Sequence, residues 1–183
     1  MNAKSSLLLC AALAGLTLSP AVARADTFVT PFVGVAFGGD AEDTALTYGG
    51  ALMFMGRGAG LEIELGYSPE FFGEGSGINI MTLMANYVAG GDLRSTGSKP
   101  YALVGVGLIR SDVEAIGNLA GGTENKIGMN LGVGMVSLFN RTFGVRGDIR
   151  YFRRVQGPSG TPLIPIADHF DFWRAVVGAT FRF

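Results

Sequence analysis

Two short stretches carry charge at every second position. In GLEIELGYS, Glu62 and Glu64 alternate with Leu61, Ile63, Leu65 and Tyr67; in FGVRGDIRYF, Arg146, Asp148 and Arg150 alternate with Val145, Ile149 and Tyr151. On an extended strand, residues two apart share a face, so each stretch sets a charged face against an apolar one. The chemistry these groups offer one another is ion pairing, because the planar guanidinium presents forked donors that match a carboxylate. Arg174 and Arg182, in the last stretch FWRAVVGATFRF, have the same parity. Three acids and four arginines then share the charged side. An unpaired buried charge is costly, so these should pair, with Thr82, Asn86 and Asn130 meeting the leftover hydrogen-bonding groups.

Other reactive residue types are sparse. The single histidine, His169 in IADHFDF, stands between Asp168 and Asp171, with Ser159 earlier in the same segment. A solitary loop histidine reads as a surface residue, and no catalytic residue is assigned. Asp40, Glu42 and Asp43 in GGDAEDT lack the ligand spacing of a calcium loop and read as a solvated turn. The Gly-rich stretches PEFFGEGSG and NLAGGTENK have no Lys-Ser/Thr pair or following helix, so they are not phosphate loops. No metal or cofactor is expected.

What positions the charged rows is a series of strands. Segments 28–38, 44–55, 60–68, 78–88, 100–110, 126–138, 143–154 and 171–183 are of strand length, many with period-two patterning, separated by Gly, Asp, Ser and Pro clusters. KIGMNLGVGM repeats the theme: Ile127, Met129, Leu131, Val133 and Met135 oppose Gly128, Asn130, Gly132 and Gly134. A soluble sandwich would bury the apolar face. A membrane barrel reverses this, with apolar side chains toward lipid and polar ones inside.

Composition favours the reversal. Hydrophobic residues make up 48% of the chain and charged residues only 16%, against about 25% charged in typical globular domains. The opening stretch, with Lys4, the apolar run Leu7–Leu18 and Ala23-Arg24-Ala25, reads as a cleaved secretory signal over residues 1–25. Residues 26–183 then form one domain and contain no run of 18 apolar residues, so no membrane helix is available. In lipid, only helices and closed barrels satisfy every backbone polar group. Removing Lys4 and Arg24 from the 14 basic residues leaves 12 against 15 acids, a net charge of −3 with no case for nucleic acid. Cys10 lies in the signal, which excludes disulfides and thiolate metal sites from the mature domain.

The expected fold is therefore all-β, an eight-stranded antiparallel up-and-down transmembrane β-barrel with both termini in the periplasm. Connections after strands 1, 3, 5 and 7 are expected to run longer than most of the others, at about 5, 9, 15 and 16 residues, as outer loops do. Phe37, Tyr48, Tyr67, Tyr151 and Trp173 fall at outer strand ends, and Phe54, Tyr87, Tyr101, Phe143, Phe181 and Phe183 at inner ends. Two interfacial belts are the arrangement amphipathic rings favour. Pro31 donates no ladder bond, and it is expected below the membrane or at a bulge.

Through KPYALVGVGL, LEIELGYSP, GVRGDIRYF and the final strand, the sequence resembles the small outer-membrane β-barrel proteins of Gram-negative bacteria, including the transmembrane domain of outer membrane protein A. That resemblance implies location in the outer membrane. In the family, a final Phe after alternating apolar residues is similar to the signal read by the barrel assembly machinery, which gives Phe181 and Phe183 that role. No appended peptidoglycan-binding domain is read, so such a role is not implied. Some barrels of this membrane modify the acyl chains of lipid A with His, Ser and an acid; here Asp171 stands where a Ser two residues after the histidine would be needed.

The expected function is structural or surface-interactive, with the interior plugged by Glu62, Glu64, Arg146, Asp148, Arg150 and Arg174. The alternatives are a narrow or gated solute channel and, less favoured, a lipid A acyl-modifying enzyme. Expected partners are outer-membrane lipid, with Arg110 and Arg153 near lipopolysaccharide phosphates or simply solvated, and the assembly machinery during insertion. Phe71, Phe72, Leu163 and Ile164 in loops would offer an extracellular ligand a surface if exposed. A monomer is expected.

Overall fold

Period-two alternation runs along eight segments, and each is a strand: β1 (Asp26–Gly38), β2 (Ala41–Met55), β3 (Ala59–Ser68), β4 (Ile78–Gly90), β5 (Gly97–Val113), β6 (Gly122–Leu138), β7 (Phe143–Arg154) and β8 (Asp171–Arg182). The computed structural model describes residues 25–73, 75–92, 96–113, 122–155 and 170–183, with only the backbone of Glu42, Asp43 and Val113. The segment read as a signal, up to Arg24, together with Ser159, Leu163, Ile164, Asp168 and His169, lies outside the described residues.

Every strand pairs antiparallel with its sequence neighbour, and β8 pairs with β1 to close the barrel. Its stagger can be counted from the register. Hydrogen-bonded neighbours followed once around from Ala45 on β2, through Ala36, Arg174, Arg150, Gly132, Leu103, Val88 and Gly60, return to β2 at Met55, ten residues along. With ~3.3 Å per residue and ~4.8 Å between strands, that stagger on eight strands gives a tilt of about 40° and a radius of about 8 Å. Side chains fill an interior of that width.

The solvent assignment follows the alternation. Glu62 and Glu64 are 1% and 0% exposed, while Ile63 between them is 53% exposed. Leu61, Leu65, Val104, Val106, Leu108, Ile127, Leu131 and Val133 also face outward. The interior is layered. At the end where both termini lie, here the lower end, Phe28, Met53, Met55, Val88, Leu103, Val136 and Leu138 form an apolar layer. At the upper end a second apolar layer holds Phe71, Ile80, Met84, Ile109, Phe152, Phe170 and Phe172. The charged residues lie between them.

Several details depart from the sequence reading. β5 and β6 each run 17 residues, longer than the 9–11 that about one membrane crossing needs. Above Gly128, β6 has no described partner in β7 and pairs with β5. The first upper connection shrinks to Gly39-Asp40, because Gly38 and Gly39 take positive φ of 65° and 62° and turn the chain early. Pro31 sits within β1 opposite Gly50 and away from the bulge, which falls between Ala36 and Gly38. The β1–β8 ladder skips Thr30 and Pro31 without changing register. Inside the barrel, the Thr30 and Thr180 hydroxyls join across that gap at 2.9 Å.

The outward aromatic residues pair across strands. Tyr48 meets Tyr67 with ring centres 5.6 Å apart and Tyr151 meets Trp173 at 5.2 Å near the upper end; Phe143 meets Phe181 at 5.5 Å near the lower. Tyr101 does not join the lower belt. It is buried and points inward.

Candidate functional site

The inward rows of β3 and β7 face each other across the lumen, and β8 adds a third. β3 contributes Glu62 and Glu64, β7 contributes Arg146, Asp148 and Arg150, and β8 contributes Arg174; all are buried. Arg146 pairs with Glu62 through Nη1 and donates from Nε to Asp148 Oδ2 at 3.0 Å. Arg150 holds all three acids: Nε is 2.6 Å from Asp148 Oδ1, and Nη1 is 3.2 Å from Glu62 Oε1 and 2.5 Å from Glu64 Oε2. Arg174 pairs with Glu64 and donates to the Thr82 hydroxyl at 3.1 Å. Three positive charges thus interleave with three negative ones.

Neutral partners join the layer. Asn86 donates to Glu62 Oε1 at 2.9 Å. The Tyr101 hydroxyl donates to Asp148 Oδ2 at 2.7 Å and accepts from Arg146 Nε at 2.6 Å. Its ring needs the space over Gly134, its register partner, where a Cβ would strike the phenol. Arg174 is stacked between Phe152 and Phe32, its guanidinium carbon 4.5 and 5.4 Å from their ring centres. That arrangement adds cation–π attraction to the ion pair. A gap lined by Thr30, Phe32, Ala51, Arg146, Asp148 and Arg150 is too small to admit a water molecule.

A closed eight-stranded barrel with an apolar exterior and an enclosed charge layer is thereby defined, and comparison with known proteins places it. The sequence model for the outer membrane protein beta-barrel domain matches residues 8–183. The chain belongs to that family. The outer-membrane barrel is similar in fold to the N-terminal beta-barrel domain of Pseudomonas aeruginosa OprF, at 19% identity over 86% of this chain and 97% of that one, with a TM-score of 0.55. Neisserial surface protein A superposes with a TM-score of 0.63 at 9% identity, covering 86% of this chain and 95% of the other. For Ail, the attachment invasion locus protein of Yersinia pestis, the values are 0.53, 15%, 87% and 98%. Sequences of curated proteins give no match.

In this outer-membrane barrel, Arg182 leaves the network that its parity suggested. It is half-buried at the lower rim and pairs with Asp26 at 3.1 Å. Its departure leaves the central network with three arginines against three acids. Asn130 is buried at the same face, but its side chain has no hydrogen-bond partner among the described residues. Arg154, which extends the inward row of β7, was not singled out by sequence; it lies under the upper mouth against the Phe170 ring and donates to Ser111 at 3.2 Å. Its parity with Arg150 was the available signal.

Arg110 and Arg153 both point outward near the upper end. Arg110 Nε is held by both oxygens of Asp112, at 3.0 and 2.9 Å, and Thr123 donates to the same carboxylate at 2.6 Å. Hydrogen bonding from Arg110, above all, holds the Asp112 carboxyl below its usual range. Arg153 is exposed, in register with Asp171. Phe71 is fully buried against Phe172 and Phe170, with ring centres 5.0 and 5.6 Å away, so it offers no exposed surface. Asp171 donates its backbone N–H to Asp40 at 2.8 Å, which engages one acid of the first turn. At the bottom, Phe183 donates to the Thr27 carbonyl at 2.9 Å, and its ring and that of Phe181 face outward.

Proposed function

We propose that this outer-membrane barrel is a non-conducting structural protein whose upper loops meet a surface partner. The observation that carries this is the charge layer enclosed between two apolar layers: an ion entering from either end would first have to leave water among packed Phe, Met, Leu and Val side chains. Such desolvation is costly, and inside, every charge already has a counter-charge. No catalytic role is assigned to any residue.

The lower end, with both termini, faces the periplasm in this reading. Phe181 and Phe183 serve as the element read by the barrel assembly machinery. Arg153 is the better placed of the two outward arginines to meet lipopolysaccharide phosphates, since Asp112 already engages Arg110. The barrel works as a monomer.

Planar-bilayer recording on purified protein tests the proposal. Insertions should give no steady single-molecule current at moderate voltage; stable ohmic steps would support the channel reading instead. Unchanged lipid A acylation in cells with and without the protein is the outcome expected of a non-enzyme.

A further inference from the structure

The lipid-facing wall has a dent in its lower half. On the outward rows of β5, β6 and β7, Pro100, Val133, Met135 and Ile149 surround Gly147, and together they line an open groove of about 560 Å³. The fold does not require glycine at this position. A Cβ at Gly147 would meet nothing nearer than the Val176 carbonyl oxygen at 3.6 Å, an ordinary contact. The missing side chain leaves space on the wall between Met135 on β6 and Val177 on β8.

Directly below the groove the wall turns polar. Ser98 and Ser137, register partners on β5 and β6, join their hydroxyls at 2.8 Å on the outward side, two positions below Pro100 and Met135. Beneath them, the β6–β7 turn presents exposed Arg141 at its tip. That tip is held in place by Asn140, whose side-chain oxygen accepts from the backbone N–H of Thr142 and Phe143, each at 2.8 Å. Phe139 and Phe143 pack beside it, ring centres 5.8 Å apart, at the level amphipathic groups prefer.

An apolar groove above a hydroxyl pair, with a fixed cation below, has the polarity of one phospholipid: acyl chain, ester and glycerol region, phosphate. We propose that this face binds a single anionic phospholipid of the leaflet at the termini-bearing end, with one acyl chain in the Gly147 groove and the phosphate at Arg141. Because the groove faces hydrocarbon, its occupant comes from the bilayer. Arginine complements a phosphate by charge and by donor geometry.

Native mass spectrometry of the full barrel, released from detergent with added phosphatidylglycerol or phosphatidylcholine, tests this. The wild type should retain one phosphatidylglycerol at least tenfold more tightly than phosphatidylcholine. Gly147→Leu, which fills the groove, and Arg141→Gln, which removes the cation, should each weaken retention at least tenfold. Gly50→Leu is the control: Gly50 lies in β2, across the barrel, where an added Cβ meets only the Thr30 carbonyl oxygen at 4.0 Å. It should leave retention unchanged, and heat-modifiable migration on gels reports that each variant is folded. Equal retention of the two lipids, or retention that ignores both Gly147→Leu and Arg141→Gln, overturns the proposal.

Discussion

Arg150 and Arg174 are direct cross-strand partners on β7 and β8, and both point into the barrel. Like charges in that relation repel. Glu64, reaching from β3 on the far wall, pairs with both and makes the juxtaposition stable. Glu64 on one wall and Arg150 and Arg174 on the other thus depend on one another, which ties the register of β3 to that of β7 and β8 through side chains as well as backbone.

Glu64→Gln should therefore be more damaging than its conservative shape suggests. Removing one partner of a buried pair typically costs about 3–5 kcal/mol, because the charge left behind stays buried. Urea unfolding in lipid vesicles, followed by Trp173 fluorescence, should show a clear fall in the midpoint. A midpoint like that of wild type would mean that water reaches the arginines.

Tyr101→Phe removes a hydroxyl that donates to Asp148 and accepts from Arg146, while keeping the ring over Gly134. Asp148 Oδ2 keeps its bond from Arg146 Nε, so the cost is that of losing hydrogen bonds to charged groups, about 1.5–3 kcal/mol. The same unfolding measurement should rank this variant between wild type and Glu64→Gln. A loss as large as that of Glu64→Gln would assign the ring, not the hydroxyl, the main role.

Phe152 and Phe172 stack with centres 4.9 Å apart and planes 3° from parallel, and Arg174 lies against Phe152. Phe172→Ala should cost about 3–5 kcal/mol and open the upper apolar layer above the charges. Faster solvent exchange of guanidinium protons in the network is the expected NMR signature. Exchange that stays as slow as in wild type would show that the upper layer is not what keeps water out.

Ile63 tests the outer wall. Arg at a lipid-facing position near the bilayer midplane costs about 2–4 kcal/mol in membrane barrels, so Ile63→Arg should lower stability in vesicles by that amount, whereas Ile63→Leu should be close to neutral. An Arg tolerated without loss would place that face in water.

Strand number, order and the inward identity of Glu62, Glu64, Arg146, Asp148, Arg150 and Arg174 were legible because period-two alternation is a local property of each strand. Strand ends were less legible. Tyr101 and Arg182 sit where a belt, a lumen mouth and a rim lie within a residue or two, and parity alone does not say which a long side chain reaches. Tyr101 turned inward because Gly134 leaves room and Asp148 offers an acceptor; both come from other strands. Arg182 stayed at the rim because Asp26 is there, on a strand 156 positions earlier in the sequence. That Pro31 lies away from the bulge has a similar reason. Its missing donor is tolerated where the β1–β8 ladder is interrupted and the Thr30–Thr180 contact bridges the seam, neither of which appears in the sequence around it.

The orientation of the two faces is tested most directly by spin labels on single cysteines placed at Leu65, Leu131 and Val177, since the one native cysteine, Cys10, lies in the segment read as a signal. In vesicles, all three labels should collide readily with oxygen and scarcely at all with a water-soluble nickel chelate. Labels open to the nickel chelate at these positions would put the apolar rows in water and contradict the account.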